Sequence, residues 1–195
     1  SQLLRRRFGV RGQPQSPALP VRAAFCEGFA PVFDENSRVL ILGSFPSVKS
    51  RAQGFYYGNP QNKFWRTLGA FFHEEPPKDP EGRRAYVLKH GAALWDVVLS
   101  CTIEGSSDAS IQGETVADVA SLVKGSNIRR ILCNGTTAYN LFQRHFPELV
   151  PIAKKLPSTS PANPRFCVEP WFEALSEGFS GAGGEEARSG AEEKV

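Results

Sequence analysis

Residues Val39–Trp65 read VLILGSFPSVKSRAQGFYYGNPQNKFW. The run Val39-Leu40-Ile41-Leu42 is short and wholly apolar, the pattern of a buried strand. Gly43 ends it. Ser44-Phe45-Pro46-Ser47 then has to turn, because glycine and proline punctuate a chain and serine supplies local hydrogen bonds. A loop rich in Tyr, Phe, Gly, Asn, Lys and Arg follows. Asn62 is placed to cap a helix that carries Phe64, Trp65 and Leu68 on one face. A buried strand feeding a polar loop and then a helix is where an open α/β sheet places its ligand, at the carboxyl end of the strand.

Outward from this stretch, 195 residues with 41% hydrophobic content suit one domain with a real core. The formal net charge is +3, and it is unevenly spread. Residues 1–24 carry Arg5, Arg6, Arg7 and Arg11 beside Pro14, Pro17 and Pro20, the composition of a flexible basic arm. Residues 178–195 are Gly-rich and set Glu185, Glu186, Glu192 and Glu193 against Arg188 and Lys194, a low-complexity acidic tail expected to be disordered. The remaining 25–177 form the expected domain. It is close to neutral, so binding to a polyanion would rest on local patches. Cys26, Cys101, Cys133 and Cys167 are scattered without a CxxC pair, and His73, His90 and His145 lie far apart. Neither metal-ligand spacing nor a disulfide framework is visible. The expectation is a reduced, intracellular protein that needs no metal or other cofactor. No run of 18 apolar residues is present to span a membrane. The start lacks a hydrophobic signal core, and its arginines leave organelle targeting as the alternative. The chain has no Met, from which a missing or processed native start is expected.

Periodicity and breakers place helices over Phe64–Phe72, Glu81–His90, Val116–Lys124, Thr136–Phe146 and Val168–Glu177. Strands are expected over Val39–Leu42, Ala92–Leu99, Ile128–Cys133 and Ile152–Leu156. Phe25–Phe33 reads as a lead-in packed beside the first strand, and Ser100–Gly113 as a long polar loop. Strands alternating with helices predict βαβ connections. The expected fold is α/β, a three-layer α/β/α sandwich around a four-stranded, mostly parallel sheet.

Two segments carry a family resemblance. Gly43-Ser44-Phe45-Pro46, Tyr56-Tyr57, Asn59-Pro60-Gln61-Asn62 and Phe64-Trp65 resemble the first motif of the uracil-DNA glycosylase superfamily. Leu156–Asn163, LPSTSPAN, resembles the second. Both motifs in the family's order are far more specific than either alone. Within the superfamily the chain is most similar to the hypoxanthine (deoxyinosine) DNA glycosylases, over about Arg38–Leu175. The resemblance implies a monofunctional, monomeric enzyme whose partner is DNA containing a damaged base. Such an enzyme flips the base out of the stack and hydrolyses its N-glycosidic bond, initiating base excision repair. Hypoxanthine is the implied base. A uracil or mismatch glycosylase is the enzymatic alternative. A catalytically weak nucleic-acid-binding module is the other alternative, because many superfamily members carry Asp or Asn where this chain has Ser44, and serine is no base at neutral pH.

The implied site residues each keep a plainer reading. Asn62 either orients water and the sugar or simply caps its helix. Asn134, in the turn pair Asn134-Gly135, either reads a base edge or only turns the chain. Asp96, alone in the apolar run Ala92–Leu99, either meets the base or caps loop amides at the strand end. Ser44, Phe45, Tyr57 and Phe64 are the implied base-binding residues, with Phe64 stacking on the base or serving as a core anchor like Trp65. Ser47, Lys49, Lys63, Ser158, Thr159, Ser160, Asn163 and Arg165 are the implied DNA-binding set. The Pro/Ser loop of 157–163 would grip phosphates and wedge into the gap left by the flipped nucleotide, or be an ordinary turn.

Overall fold

The computed structural model describes residues 24–103 and 111–180. Four strands form one parallel sheet: β2 (Val39–Gly43), β3 (Ala92–Asp96), β6 (Arg130–Asn134) and β7 (Ala153–Leu156), in the order β3-β2-β6-β7. All five residues of β2 are buried. Successive side chains on a strand point to opposite faces, so both faces of this central strand are covered. That is the three-layer arrangement expected. The covering helices are α2 (Phe64–Phe72), α3 (Pro80–Lys89), α4 (Val119–Lys124), α5 (Thr136–His145) and α6 (Glu169–Ser180).

Register determines what meets at the carboxyl edge. Gly43 pairs with Asp96, Leu42 with Cys133, and Asn134 with Leu156. Asp96, Gly43, Asn134 and Leu156 therefore stand in a row, each at the end of its strand, where the following loops must converge.

Several segments depart from the sequence reading. Ala92–Leu99 is not one strand. The chain leaves the parallel sheet after Asp96 and continues as β4 (Val98–Ile103), which pairs antiparallel with β1 (Ala24–Glu27) and β5 (Ile111–Val116) in a second, three-stranded sheet. Val97 N–H donates to the Gly43 carbonyl and Val98 N–H to the Ser44 carbonyl, at 2.8 and 2.9 Å, so the switch between sheets happens beside the turn that ends β2. Residues 100–103 and 111–113 of the expected polar loop are thus strand. An antiparallel strand with one face open to water carries polar residues there, a pattern that resembles a loop when only composition is read. Residues 104–110 of that expected loop lie outside the described residues, as do residues 1–23 and 181–195 of the expected arm and tail.

Val48–Gln53 is a short helix, α1, inside the expected loop. The Ser47 hydroxyl accepts from Ser50 N–H at 3.1 Å, and Gly54 closes the helix in the left-handed region. The helix read from Val116 starts at Val119, after an Asp118 cap, because Val116 still belongs to β5. Pro147–Ile152 adds a 3-10 segment before β7. α6 continues past Glu177 to Ser180. Gly178 is buried in it, and a Cβ there would lie 2.8 Å from Val39 Cγ2, so the last turn presses directly on the central strand.

Candidate active site

The loops at the carboxyl edge enclose a cavity of about 520 Å³. One wall is the turn after β2: Ser44, Phe45, Pro46 and Ser47. The opposite wall is the loop after β7, Pro157–Asn163. The start of α5 (Gly135, Thr136, Thr137) and Asn62 close the remaining sides. Asp96, Tyr57 and Gly43 lie at the level of the strand ends.

Asp96 is 5% exposed. Among the described residues its Oδ2 is fully buried without a hydrogen-bond partner, and so is the Tyr57 hydroxyl. The reading of Asp96 as a cap for loop amides is therefore not met: the carboxyl serves no amide. Burial pushes it up to about 7, because a carboxylate that has lost water without gaining donors is costly. Burial, then the neighbouring Asp96, also raises the Tyr57 phenol; the nearby Asn134 amide acts in the opposite direction without forming a hydrogen bond to the hydroxyl. A Cβ on Gly43 would stand 2.4 Å from Asp96 Oδ1 and 3.2 Å from the Tyr57 hydroxyl. Glycine ends β2 because the two polar groups occupy the space a side chain would need. A buried polar atom without a partner is costly, and these two, both near Gly43 at the floor of the cavity, mark where a polar ligand edge would fit.

Asn62 combines its two readings. Its Oδ1 accepts from Phe64 N–H at 2.9 Å, an Asx turn that starts α2. Its Nδ2 makes no hydrogen bond among the described residues, and the side chain lines the cavity. The oxygen caps while the nitrogen remains available to a ligand.

Asn134 takes on a role that neither of its readings included. Its Oδ1 accepts from Thr159 N–H at 3.0 Å and its Nδ2 donates to Thr159 Oγ1 at 2.9 Å. The amide clamps the 157–163 loop, leaving one N–H for the cavity it lines. Thr159 has no exposed surface and is bonded by Asn134 and by Lys63 N–H, which donates to its carbonyl at 3.0 Å. It cannot grip a phosphate, and the expectation for that residue is corrected.

Of its two readings, Phe64 takes that of a core anchor. It is fully buried and packs on Tyr57 (ring centroids 4.0 Å apart), Trp65 (4.9 Å) and Trp171 (6.3 Å). Phe64 backs the wall that Tyr57 presents; Tyr57 itself is held at φ 52°. Phe45 does line the cavity, with the Arg51 guanidinium 5.6 Å from its ring centre. Ser158, Ser160 and Asn163 line it too, but they also bond to one another: Ser160 N–H to Ser158 Oγ at 3.2 Å, and Asn163 Nδ2 to the Ser158 carbonyl at 3.0 Å. Lys49 and Arg165 are exposed outside the cavity. Lys63 Nζ sits over the Phe166 ring at 5.1 Å.

Ser50 and Thr137 line the cavity as well, and sequence reasoning did not single them out. Ser50 Oγ accepts from Gly58 N–H at 2.9 Å and so folds the Tyr-rich loop back on α1; its signal was the unrecognised helix. Thr137 could have been found as the next residue of a helix that starts at the sheet's carboxyl edge. Among the described residues no three His, Cys, Asp or Glu side chains are grouped to hold a metal ion.

A parallel sheet of this order, with a polar cavity between a strand-2 turn and a Pro/Ser loop, defines an α/β fold with its ligand cavity at the carboxyl edge of the sheet. The comparisons with known proteins agree. The family model of the Uracil DNA glycosylase superfamily matches residues 30–173, and the chain belongs to that superfamily. A protein of Methanosarcina acetivorans named hypoxanthine DNA glycosylase is 36% identical over 140 residues, covering 71% of this chain and 89% of that one. A protein of the same name from Methanosarcina barkeri is 38% identical over 111 residues, covering 56% and 70%. The solution NMR structure of a candidate uracil DNA glycosylase from M. acetivorans superposes with a TM-score of 0.68 at 34% identity, covering 79% of this chain and 98% of that one.

Proposed function

We propose that the protein excises a deaminated base, hypoxanthine first among them, from DNA by hydrolysing the N-glycosidic bond and leaving the strand intact. The observation that carries this reading is the pair of buried atoms without partners, Asp96 Oδ2 and the Tyr57 hydroxyl, in a cavity otherwise lined by turns and hydroxyls. Deamination turns the adenine edge, a ring nitrogen acceptor beside an amino donor, into a lactam: N1–H donor beside O6 acceptor. An acceptor carboxyl next to a donor phenol complements the lactam and opposes the ring nitrogen lone pair of adenine. The names of the similar proteins point the same way.

In this reading Phe45 flanks the flipped base while Tyr57 meets its edge, and Asn62 Nδ2 holds the water or steadies the sugar. The start of α5 offers N–H groups as negative charge develops on the leaving base. The Ser158–Asn163 loop enters the duplex, with exposed Lys49 and Arg165 on the outer rims. No helix among the described residues is long and apolar enough to cross a membrane. An intracellular protein that acts as a monomer fits the proposal.

The test is a single-turnover gel assay on duplexes carrying inosine, uracil or xanthine, followed by alkali to reveal abasic sites. Release of hypoxanthine in excess of the others, with strands uncut before alkali, is the expected result. Preferred release of uracil would move the chain to the uracil-specific reading. Binding without release of any base would leave a nucleic-acid-binding module.

A further inference from the structure

Thr159 joins three parts of the chain that are distant in sequence. Its N–H and Oγ1 both bond to the Asn134 amide at the end of β6 (3.0 and 2.9 Å), and its carbonyl accepts from Lys63 N–H at the start of α2 (3.0 Å). The Lys63 N–H lies in the same peptide plane as the Asn62 carbonyl. Thr159 therefore holds the backbone from which the Asn62 side chain projects into the cavity. The loop on either side of Thr159 is stiffened by its own bonds. Trp171 Nε1 donates to the Pro157 carbonyl at 2.8 Å, and Asn163 N–H to the Ser160 carbonyl at 3.0 Å. A displacement of this loop is passed on rather than absorbed.

We propose that Thr159 is a positioning residue, which couples the seating of the 157–163 loop on DNA to the placement of the Asn62 amide. The inference rests on the excision reading above and assigns Thr159 a role distinct from DNA contact. A reacting group must be held within roughly 0.5 Å of its productive position. Asn62 is held to α2 by its own cap bond, and α2 is held to the loop and to β6 through Thr159. The enzyme then presents its amide correctly when the loop is home.

The experiment uses Thr159→Val, which keeps the side-chain shape, removes the hydroxyl acceptor and leaves Asn134 Nδ2 without its partner. Thr159→Ser restores the hydroxyl. Excision is read at saturating enzyme on an inosine duplex, affinity on a duplex with a stable abasic-site analogue, and folding by thermal melting. A folded Thr159→Val should excise about tenfold to a hundredfold more slowly, with affinity within about twofold of the parent, and Thr159→Ser should recover most of the rate. In the free protein the Asn62 side-chain amide resonances should shift in Thr159→Val and return in Thr159→Ser. Should Thr159→Val not fold, Asn134→Ala deletes this bond from the strand side together with the one from Thr159 N–H and is read by the same measurements. A folded variant with the parental rate overturns the proposal. So does a rate loss fully matched by lost affinity, or one that Thr159→Ser does not recover. A parent chain that releases no deaminated base overturns the excision reading and this one with it, whereas an active parent with an unaffected variant overturns this one alone.

Discussion

Asn62 shows how one residue can serve two purposes that look exclusive from sequence. The cap uses the oxygen and the proposed chemistry uses the nitrogen, and only Asn or Gln carries both on one short planar group. Two replacements separate them. Asn62→Ala loses both, and should lower stability by about 1 kcal/mol and slow single-turnover excision on the order of a hundredfold, about 2.7 kcal/mol. Asn62→Asp keeps the acceptor for Phe64 N–H and should melt close to the parent while remaining slow. A fast Asn62→Asp enzyme would remove the amide nitrogen from the mechanism. Asp96 makes a second residue-scale prediction. Its carboxyl is raised from 3.8 to about 7 by burial. A folded pKa above the unfolded one means that the folded state binds the extra proton. The stabilisation is complete below the unfolded pKa and is lost as pH rises through about 7. Asp96→Asn is neutral throughout, so its melting temperature relative to the parent should climb between about pH 4 and pH 8. A constant difference across that range would show that the carboxyl titrates normally.

Among the elements, α6 matters beyond its expected length. Gly178 lies on Val39, and the Phe179 ring meets Phe72 at 5.6 Å and Phe71 at 6.4 Å between centroids. The sequence suggests a domain end at Glu177 because the glycines that follow read as a tail. In the folded chain the first of them permits close approach to the sheet. Residues 24–180 alone should fold and excise at a rate similar to the full chain. Ending at Glu177 removes an aromatic ring and a strand cover, and should cost about 2 kcal/mol of stability. Equal melting of the two shortened chains would make the final turn dispensable.

For the molecule as a whole, the near-neutral body implies that DNA affinity comes from a few rim cations. Lys49 and Arg165 are exposed on either side of the cavity, whereas Lys63 is engaged over Phe166 and Lys154 lies 3.7 Å from Glu177. The double change Lys49→Ala/Arg165→Ala should reduce the slope of log affinity against log salt by roughly 0.9 for each phosphate that is no longer neutralised on duplex DNA. An unchanged slope would place the DNA on another face.

The parallel sheet and both walls of its cavity were legible in the sequence. Buried strands announce themselves by short apolar runs, and the motifs around Gly43 and Pro157 are local in the chain. Asp96 was noticeable because a carboxylate in an apolar run has to be accounted for. The second sheet was not legible: an antiparallel ladder open to water on one side carries a polar composition that also describes a loop. The roles of Thr159, Asn134 and Phe64 were equally out of reach. Whether a threonine faces DNA or lies locked under a loop, and whether a phenylalanine meets the base or stands behind a tyrosine that does, depends on the few ångströms separating side chains brought together from distant parts of the chain. Residue type and spacing determine what a side chain is able to do; the packing of loops on the sheet edge decided which partner takes each hydrogen bond and which atoms, at Asp96 and Tyr57, were left with none.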